Sequence, residues 1–345
     1  MHEFIDYPKG LATMKNLYVI GNGFDIAHGL PSRYLDFKKW LQENQMDIYE
    51  KLIEFFPDVA NEDLKWWSDF ENNLDTLSAH EAIFRNASEY YPDFGSDEFR
   101  DRDYHRAEYE TEQEIRNLYY EIQKSFELWV KQLGKPIKKY KLKLPTNTFF
   151  LTFNYTDTLQ DYYKISSDNI LYIHGRESIG DSLIFGHSGN PYHITEGTEL
   201  EYPEPPNKLD PEDYEQWIEQ NSDDYFVISA RQAAQHAIYE FKKPTEELIS
   251  KYRIFFGRCS NLESITFLGL SFSSVDIPYL DAIFNHIDLK NIKITAYYFS
   301  GQDFKSITSF MNRYNIPQNN LTILHSSIHP HKEYINPEIP NLFDV

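Results

Sequence analysis

Leu17-Tyr18-Val19-Ile20-Gly21-Asn22-Gly23-Phe24-Asp25-Ile26-Ala27-His28-Gly29-Leu30-Pro31 is the stretch from which the fold can be read. An apolar run, 17–20, stops abruptly at Gly-Asn-Gly, and a helical pattern follows within about ten residues. A strand that ends at Gly-x-Gly in an α/β unit allows close backbone approach to a pyrophosphate, because neither glycine carries a Cβ. The third glycine of the dinucleotide fingerprint is absent, since Ile26 stands there, and Glu43 falls inside a polar helical stretch rather than at a ribose-binding strand end. From these residues alone, a tight turn and a phosphate loop both remain open.

Further apolar runs of strand length recur at 148–153, 169–173, 182–186, 264–270, 292–299 and 321–324. Helical patterns separate most of them, which predicts a mainly parallel sheet with helices on both faces. Apolar residues at three- and four-residue spacing mark helices over 34–45, 47–56, 63–77 and 104–133. We read 34–145 as a helical insertion. Residues 189–225 carry ten or more acids against the single Lys208 and include Pro203-Glu204-Pro205-Pro206, so they read as a long acidic loop. Helices resume over 229–239 and 244–256.

Composition narrows the function. The 345 residues include 26 Tyr and 25 Phe, ample material for a packed core and unlike a disordered chain. A formal charge of −21 argues against nucleic acid as a main ligand, since phosphate-backbone binding relies on clustered Lys and Arg. A small anion held by glycine-loop amides and a helix N-terminus stays compatible with that charge. The lone Cys259 excludes a disulfide framework or a cysteine zinc site within one chain. No apolar run reaches membrane-span length and no signal peptide precedes the first strand, so no membrane partner and a cytoplasmic location are expected. Residues 1–15 read as an N-terminal extension, with Met1 and Met14 both open as the native start.

Two strand ends carry the candidate chemistry. Thr152-Phe153-Asn154 closes one run and His174-Gly175 closes the next, placing two polar side chains at the carboxyl edge where open α/β sheets bind ligands. Helix capping for Asn154 and a satisfied turn histidine for His174 are the structural alternatives. A third segment, Gly269-Leu270-Ser271-Phe272-Ser273-Ser274-Val275-Asp276, leaves an apolar strand for a helix start, where Asp276 reads equally as an N-cap. Gly186-His187-Ser188-Gly189-Asn190 reads as a possible pocket rim. In Trp66-Trp67-Ser68-Asp69-Phe70-Glu71, the residues Trp67, Phe70 and Leu74 share a core-facing helical side and Glu71 is a secondary pocket candidate. His325, His329 and His331 lack an acidic partner cluster, so no metal is expected.

Together these motifs resemble the sirtuin-like superfamily: Gly-x-Gly with a later Gly-x-Pro, then Thr-x-Asn, His-Gly and a late Gly-x-Ser, in that order. The wording Ile20-Gly21-Asn22-Gly23-Phe24-Asp25 is similar to the AbiH family of bacterial abortive-infection proteins, a divergent branch of that superfamily. The deacylase branch's four-cysteine zinc module cannot exist in this chain. The resemblance implies a single sirtuin-like Rossmannoid α/β domain over 16–345 with the helical insertion lobe. It implies NAD or NADP as the small-molecule ligand and substrate, with no other cofactor, and hydrolysis of the nicotinamide–ribose bond in anti-phage defence. Asn154 and His174 would be catalytic, and Gly21, Asn22, Gly23, Phe24, Asp25, Gly269, Ser271 and Asp276 would contact the dinucleotide. An unperturbed His174, titrating near pH 6.5, would serve as base. A homo-oligomer and a phage-derived trigger are compatible partners. A non-catalytic nucleotide sensor and a nuclease or other phosphodiesterase are the competing readings.

Overall fold

A computed structural model describes residues 14–60, 65–136, 140–142, 144, 148–189, 211–328 and 332–334. Its strands are β1 (Asn16–Ile20), β2 (Tyr140–Leu142), β3 (Thr148–Thr152), β4 (Ile170–Tyr172), β5 (Ser264–Leu268), β6 (Lys293–Tyr298), β7 (Leu321–His325) and β8 (Lys332–Tyr334). Six of them form one sheet in the order β4-β3-β1-β5-β6-β7, every pair parallel. The chain winds outward from β1 through β3 to β4, then returns to β1's other side and winds outward through β5 to β7. This is the doubly wound Rossmann-like arrangement, with the reversal of direction between β1 and β5. The loops that open with Gly21 and Gly269 leave the sheet at that point.

Parallel strands are covered on both faces, and the sequence shows why these segments form them. Along β1 the side chains alternate: Leu17 and Val19 join one core, Tyr18 and Ile20 the other. The first core continues through Phe149, Leu151, Ile265, Phe267 and Ile294 to Phe255, Tyr279, Ile283 and Phe310. The second gathers Phe150, Ile170, Leu268, Phe24, Leu159 and Tyr163. Full burial of each such side chain contributes roughly 1.5–3 kcal/mol, so the sheet is anchored on both sides.

The helices are α1 (Asn22–Ala27), α2 (Tyr34–Asn44), α3 (Met46–Phe55), α4 (Lys65–Ser68), α5 (Phe70–Asn73), α6 (His80–Glu89), α7 (Asp101–Tyr104), α8 (Arg106–Gln132), α9 (Pro211–Glu240), α10 (Thr245–Lys251), α11 (Arg253–Arg258), α12 (Ile277–Phe284) and α13 (Gly301–Arg313). The chain divides into two compact units. One holds the sheet, drawn from Met1–Phe37, Phe126–Phe185 and Lys243–Val345 so far as these are described; the other comprises Lys38–Ser125 and Gly186–Lys242. In the second unit Trp67 stacks on Phe70 (5.1 Å), and Tyr119 stacks on Phe241 (4.1 Å) while donating to the Leu74 carbonyl (2.7 Å). Trp67, Phe70 and Leu74 are all fully buried, as their helical spacing predicts.

Several expectations need correction. Residues 182–186 form no strand. The segment's Ile184 N–H donates to the His174 carbonyl (2.8 Å), so its apolar residues reflect burial rather than pairing in the sheet. The acidic loop over 189–225 is helical from Pro211 onward, within α9; residues 190–210 lie outside the described residues. Pro suits the first helical position and acids suit the first turn, so Pro211-Glu212-Asp213 starts a helix. The extension read over 1–15 ends earlier, because Met14 is buried in the core and the Lys15 carbonyl accepts from Glu263 and Ser264. Helix 63–77 is broken at Asp69 into α4 and α5. The short antiparallel pair β2–β8 was not foreseen. No helix among the described residues is long and apolar enough to cross a membrane.

Candidate functional site

At the sheet's carboxyl edge the loops after β1 and β5 meet backbone to backbone. Gly21 N–H donates to the Leu268 carbonyl (3.0 Å) and Gly23 N–H to the Gly269 carbonyl (2.8 Å). A Cβ on Gly23 would lie 2.8 Å from Gly269 Cα, and one on Gly269 would lie 2.2 Å from the Phe24 nitrogen. Gly269 also takes a φ of +63°, which disfavours any side chain. The glycine pattern is thus explained by two loops sharing one space.

Other residues read as nucleotide contacts are committed within the protein. Phe24 is buried, its ring 4.3 Å from His28 and 5.7 Å from Tyr163. Asn22 is exposed, yet its side chain is occupied at both ends: Nδ2 donates to the Ser32 carbonyl (2.6 Å) and Oδ1 accepts from Ser32 Oγ (2.7 Å). That pair closes the loop leading to Pro31. Ser271 is exposed at the edge, beside Phe272, which takes φ +56° with its ring buried against Phe267 and Phe310. Asp276 is buried at the N-cap position of α12 but its side chain makes no capping bond.

Asp25 is almost completely buried. Its Oδ2 accepts from Thr156 Oγ1 (2.5 Å) and its Oδ1 accepts from Thr158 Oγ1 (2.6 Å). Burial outweighs these donors and pushes its carboxyl up to about 6. The carboxylate joins the first loop to the loop after β3. At the C-cap of α1, His28 bonds the Phe24 carbonyl through Nδ1 (2.7 Å) and Tyr163 Oη through Nε2 (2.7 Å); burial lowers its pKa to about 4.

Asn154 and His174 occupy matching positions. Thr152 of β3 pairs with Tyr172 of β4, and each candidate stands two residues beyond that rung. Asn154 is not a helix cap: the next helical turn starts at Thr158. Its backbone N–H donates to Thr152 Oγ1 (3.1 Å), while its buried Oδ1 has no partner. His174 is buried between Phe153 (5.3 Å), Tyr279 (5.6 Å) and Tyr155 (6.1 Å). Its ring bonds the Phe153 carbonyl, and Nε2 is the nitrogen without a partner, so the bond runs from Nδ1–H. Burial holds its pKa well below the ordinary value, and the buried Lys243 adds to the effect. The expectation of an unperturbed histidine is therefore corrected; the ring is neutral throughout the physiological range.

Both orphaned atoms are acceptors, and a buried acceptor left unpaired costs about 1–3 kcal/mol. Neither atom has a donor within the protein, and each can accept from a hydroxyl. Gly175, at φ +85°, turns the chain where a Cβ would meet the Ser182 carbonyl at 2.8 Å. Beyond it, Arg176 lies over the Tyr172 ring and bonds Asp157, both side chains largely buried. Thr156, Thr158, Arg176, Tyr279 and Lys243 were not identified from sequence, because their partners are distant along the chain. His187 and Ser188 belong to the second unit, where His187 Nε2 bonds the Ile238 carbonyl (2.9 Å) and Ser188 Oγ donates to Asn72 Oδ1 (3.0 Å). Glu71 is buried in that unit too. Among the described residues no three His, Cys, Asp or Glu side chains group as metal ligands; His329 and His331 lie outside them.

The chain matches no curated protein. The family model for bacteriophage abortive infection AbiH matches it over residues 17–298, a span that takes in the glycine loops, Asn154 and His174. The chain therefore belongs to the AbiH family, whose description points to a role in defence against phage.

Proposed function

We propose that this protein is a sirtuin-like NAD hydrolase that cleaves the nicotinamide–ribose bond and so depletes NAD in phage-infected bacteria. The observation that carries the reading is the pair of buried, partnerless acceptors, Asn154 Oδ1 and His174 Nε2, beyond one rung of β3 and β4. A ribose with its hydroxyls, together with an attacking water, supplies the donors that these atoms lack. In the reaction, water oxygen bonds C1′ as the C1′–nitrogen bond breaks, and that bond's electron pair leaves with nicotinamide. Asn154 Oδ1 receives a ribose hydroxyl, and His174 Nε2 receives the water's hydrogen bond and then its proton.

The lowered basicity of His174 fits an acceptor that takes a proton only as the carbon–oxygen bond forms. Lys243, close enough to oppose the imidazolium, favours passing that proton onward. The sheet's open carboxyl edge is the usual ligand side of such folds.

Incubating the full-length protein with NAD or NADP and following released nicotinamide tests the proposal. Release from either substrate is the expected result, with the ratio giving cofactor preference. Binding without release would replace the hydrolase with a nucleotide sensor, and absence of both would overturn the reading.

A further inference from the structure

Arg231 of α9, in the second unit, is 9% exposed and is the only buried arginine among the described residues. Its Nε has no hydrogen-bond partner, and no carboxylate among the described residues pairs with its guanidinium. A guanidinium stays charged at every physiological pH, so losing a proton cannot relieve the cost of enclosing it. Such a charge calls for an anion.

A shortage of acids is not the reason, since the chain has 54 Asp and Glu against 33 Lys and Arg. Three other arginines of the same unit, all more open, each hold a carboxylate. Arg85 pairs with Glu54 (3.4 Å) and Glu114, Arg106 with Glu110 (3.8 Å), and Arg116 with Glu112 (2.8 Å) and Glu240 (2.9 Å). Helix geometry explains why Arg231 is left out. Ser229 Oγ donates to Glu108 Oε2 (3.0 Å) and His236 Nδ1 bonds Glu112 Oε1 (3.1 Å), so that flank of α9 faces the acids of α8. Arg231 stands two positions past Ser229, about 200° around a helix of 3.6 residues per turn, and so on the flank away from α8. There it lies at the margin between buried Ala234 and Ile238 and exposed Gln232 and Tyr239.

We infer that Arg231 anchors an oxyanion site in the helical unit, taking a carboxylate or a phosphate group of a small molecule on its guanidinium. The planar fork of N–H donors matches either group. The occupant is small because a folded partner's surface cannot reach a side chain this enclosed, whereas a terminal group can enter at the margin of the buried face. The inference is independent of the hydrolase reading: Asn154 and His174 offer acceptors, and Arg231 offers donors and charge.

The test is isothermal titration calorimetry of the full-length protein with sodium phosphate and with sodium acetate, against sodium chloride at equal ionic strength. Saturable binding of at least one oxyanion by the wild type is expected, and the ratio of the two affinities tells phosphate from carboxylate. Affinity should fall by roughly tenfold or more in Arg231→Met, and by less in Arg231→Lys, which keeps the charge and loses the fork. In protein labelled with ¹⁵N-arginine, the Arg231 Nε–H signal, identified by its loss in Arg231→Lys, should shift along the same titration. Without added oxyanion, Arg231→Met should resist urea at least as well as the wild type, because it removes an unpaired buried charge. Absence of saturable binding of both anions by the wild type overturns the proposal, whether or not the variants fold. Undiminished affinity in folded Arg231→Met also overturns it, and so does a marked loss of urea resistance in that variant, which would show a charge already compensated within the fold.

Discussion

Two regions of the same sheet edge, the glycine loops after β1 and β5 and the strand ends at Asn154 and His174, use their polar groups in opposite ways. In the glycine loops the named donors are spent inside the protein: Gly21 and Gly23 N–H on Leu268 and Gly269, and the Asn22 amide on Ser32. At the strand ends, two buried acceptors have nothing to accept from. The loops are satisfied and tight, so their glycines read as packing; the strand ends are unsatisfied, which proteins tolerate where a ligand completes the bonding. A motif can therefore be diagnostic of a family while its residues serve the fold, and the chemistry can lie a strand away.

The sharpest way to break this contrast is to add a Cβ to the loops. Gly269→Ala places a methyl 2.2 Å from the Phe24 nitrogen at a left-handed φ, and Gly23→Val adds a branched side chain against Gly269. Each should cost on the order of 4 kcal/mol or more, a large part of a domain's total stability. Urea denaturation monitored by circular dichroism measures it. Near-native stability with lost NAD affinity in either variant would return the glycines to a ligand-facing role.

At the strand ends the expected effect is on rate rather than on folding. Asn154→Ala and His174→Ala should each reduce nicotinamide release by roughly 10²–10⁴, as for residues that orient or deprotonate a nucleophile. Their stability should change by no more than about 2 kcal/mol, because each removes an acceptor that was already unpaired. A folded variant at either position with wild-type turnover would erase the distinction between the two regions.

This difference also marks what the sequence could tell. The doubly wound sheet was legible because parallel strands are continuous apolar runs, such as 148–153, separated by helical patterns. The same criterion misread 182–186, since a buried extended segment and a buried strand share one pattern. The acidic composition of 189–225 concealed the start of α9, although Pro211 and the acids after it are a helix-start signal. Asn154 and His174 were legible from their place at consecutive strand ends. The Asp25–Thr156 and Asp25–Thr158 bonds were not, because they join residues 131 and 133 positions apart and leave no spacing to recognise. Lys243 beside His174 was hidden for the same reason.

Acid and base dependence sharpens the comparison from α1 and its C-cap residue, His28. The Asp25 carboxyl, raised from 3.8 to about 6, contributes stability that is full below pH 3.8 and lost as pH rises through 6. His28, lowered from 6.5 to about 4, does the opposite: its contribution is full above pH 6.5 and lost as pH falls through 4. Each amounts to about 3 kcal/mol at about 1.4 kcal/mol per unit, so the two nearly cancel between pH 4 and 6.5. Between pH 4 and 7, Asp25→Asn should therefore gain about 3 kcal/mol relative to wild type, and His28→Gln should lose about as much. Urea midpoints at both pH values decide this, and flat differences for both variants would show that neither group is buried as described.

The smallest expected effect concerns the closure of the first loop. Ser32→Ala removes the hydroxyl that donates to Asn22 Oδ1 but keeps the Ser32 carbonyl that Asn22 Nδ2 bonds. One of two hydrogen bonds is lost at a partly buried position, which should cost about 1 kcal/mol of stability. The remaining bond keeps the Asn22 amide facing the loop, so NAD affinity measured by calorimetry should match that of the wild type. The informative failure is the reverse pattern, unchanged stability with weakened binding. It would mean that Ser32 holds Asn22 for a ligand rather than for the loop, and the division between a satisfied packing region and an unsatisfied chemical one would have to be redrawn to include the first glycine loop.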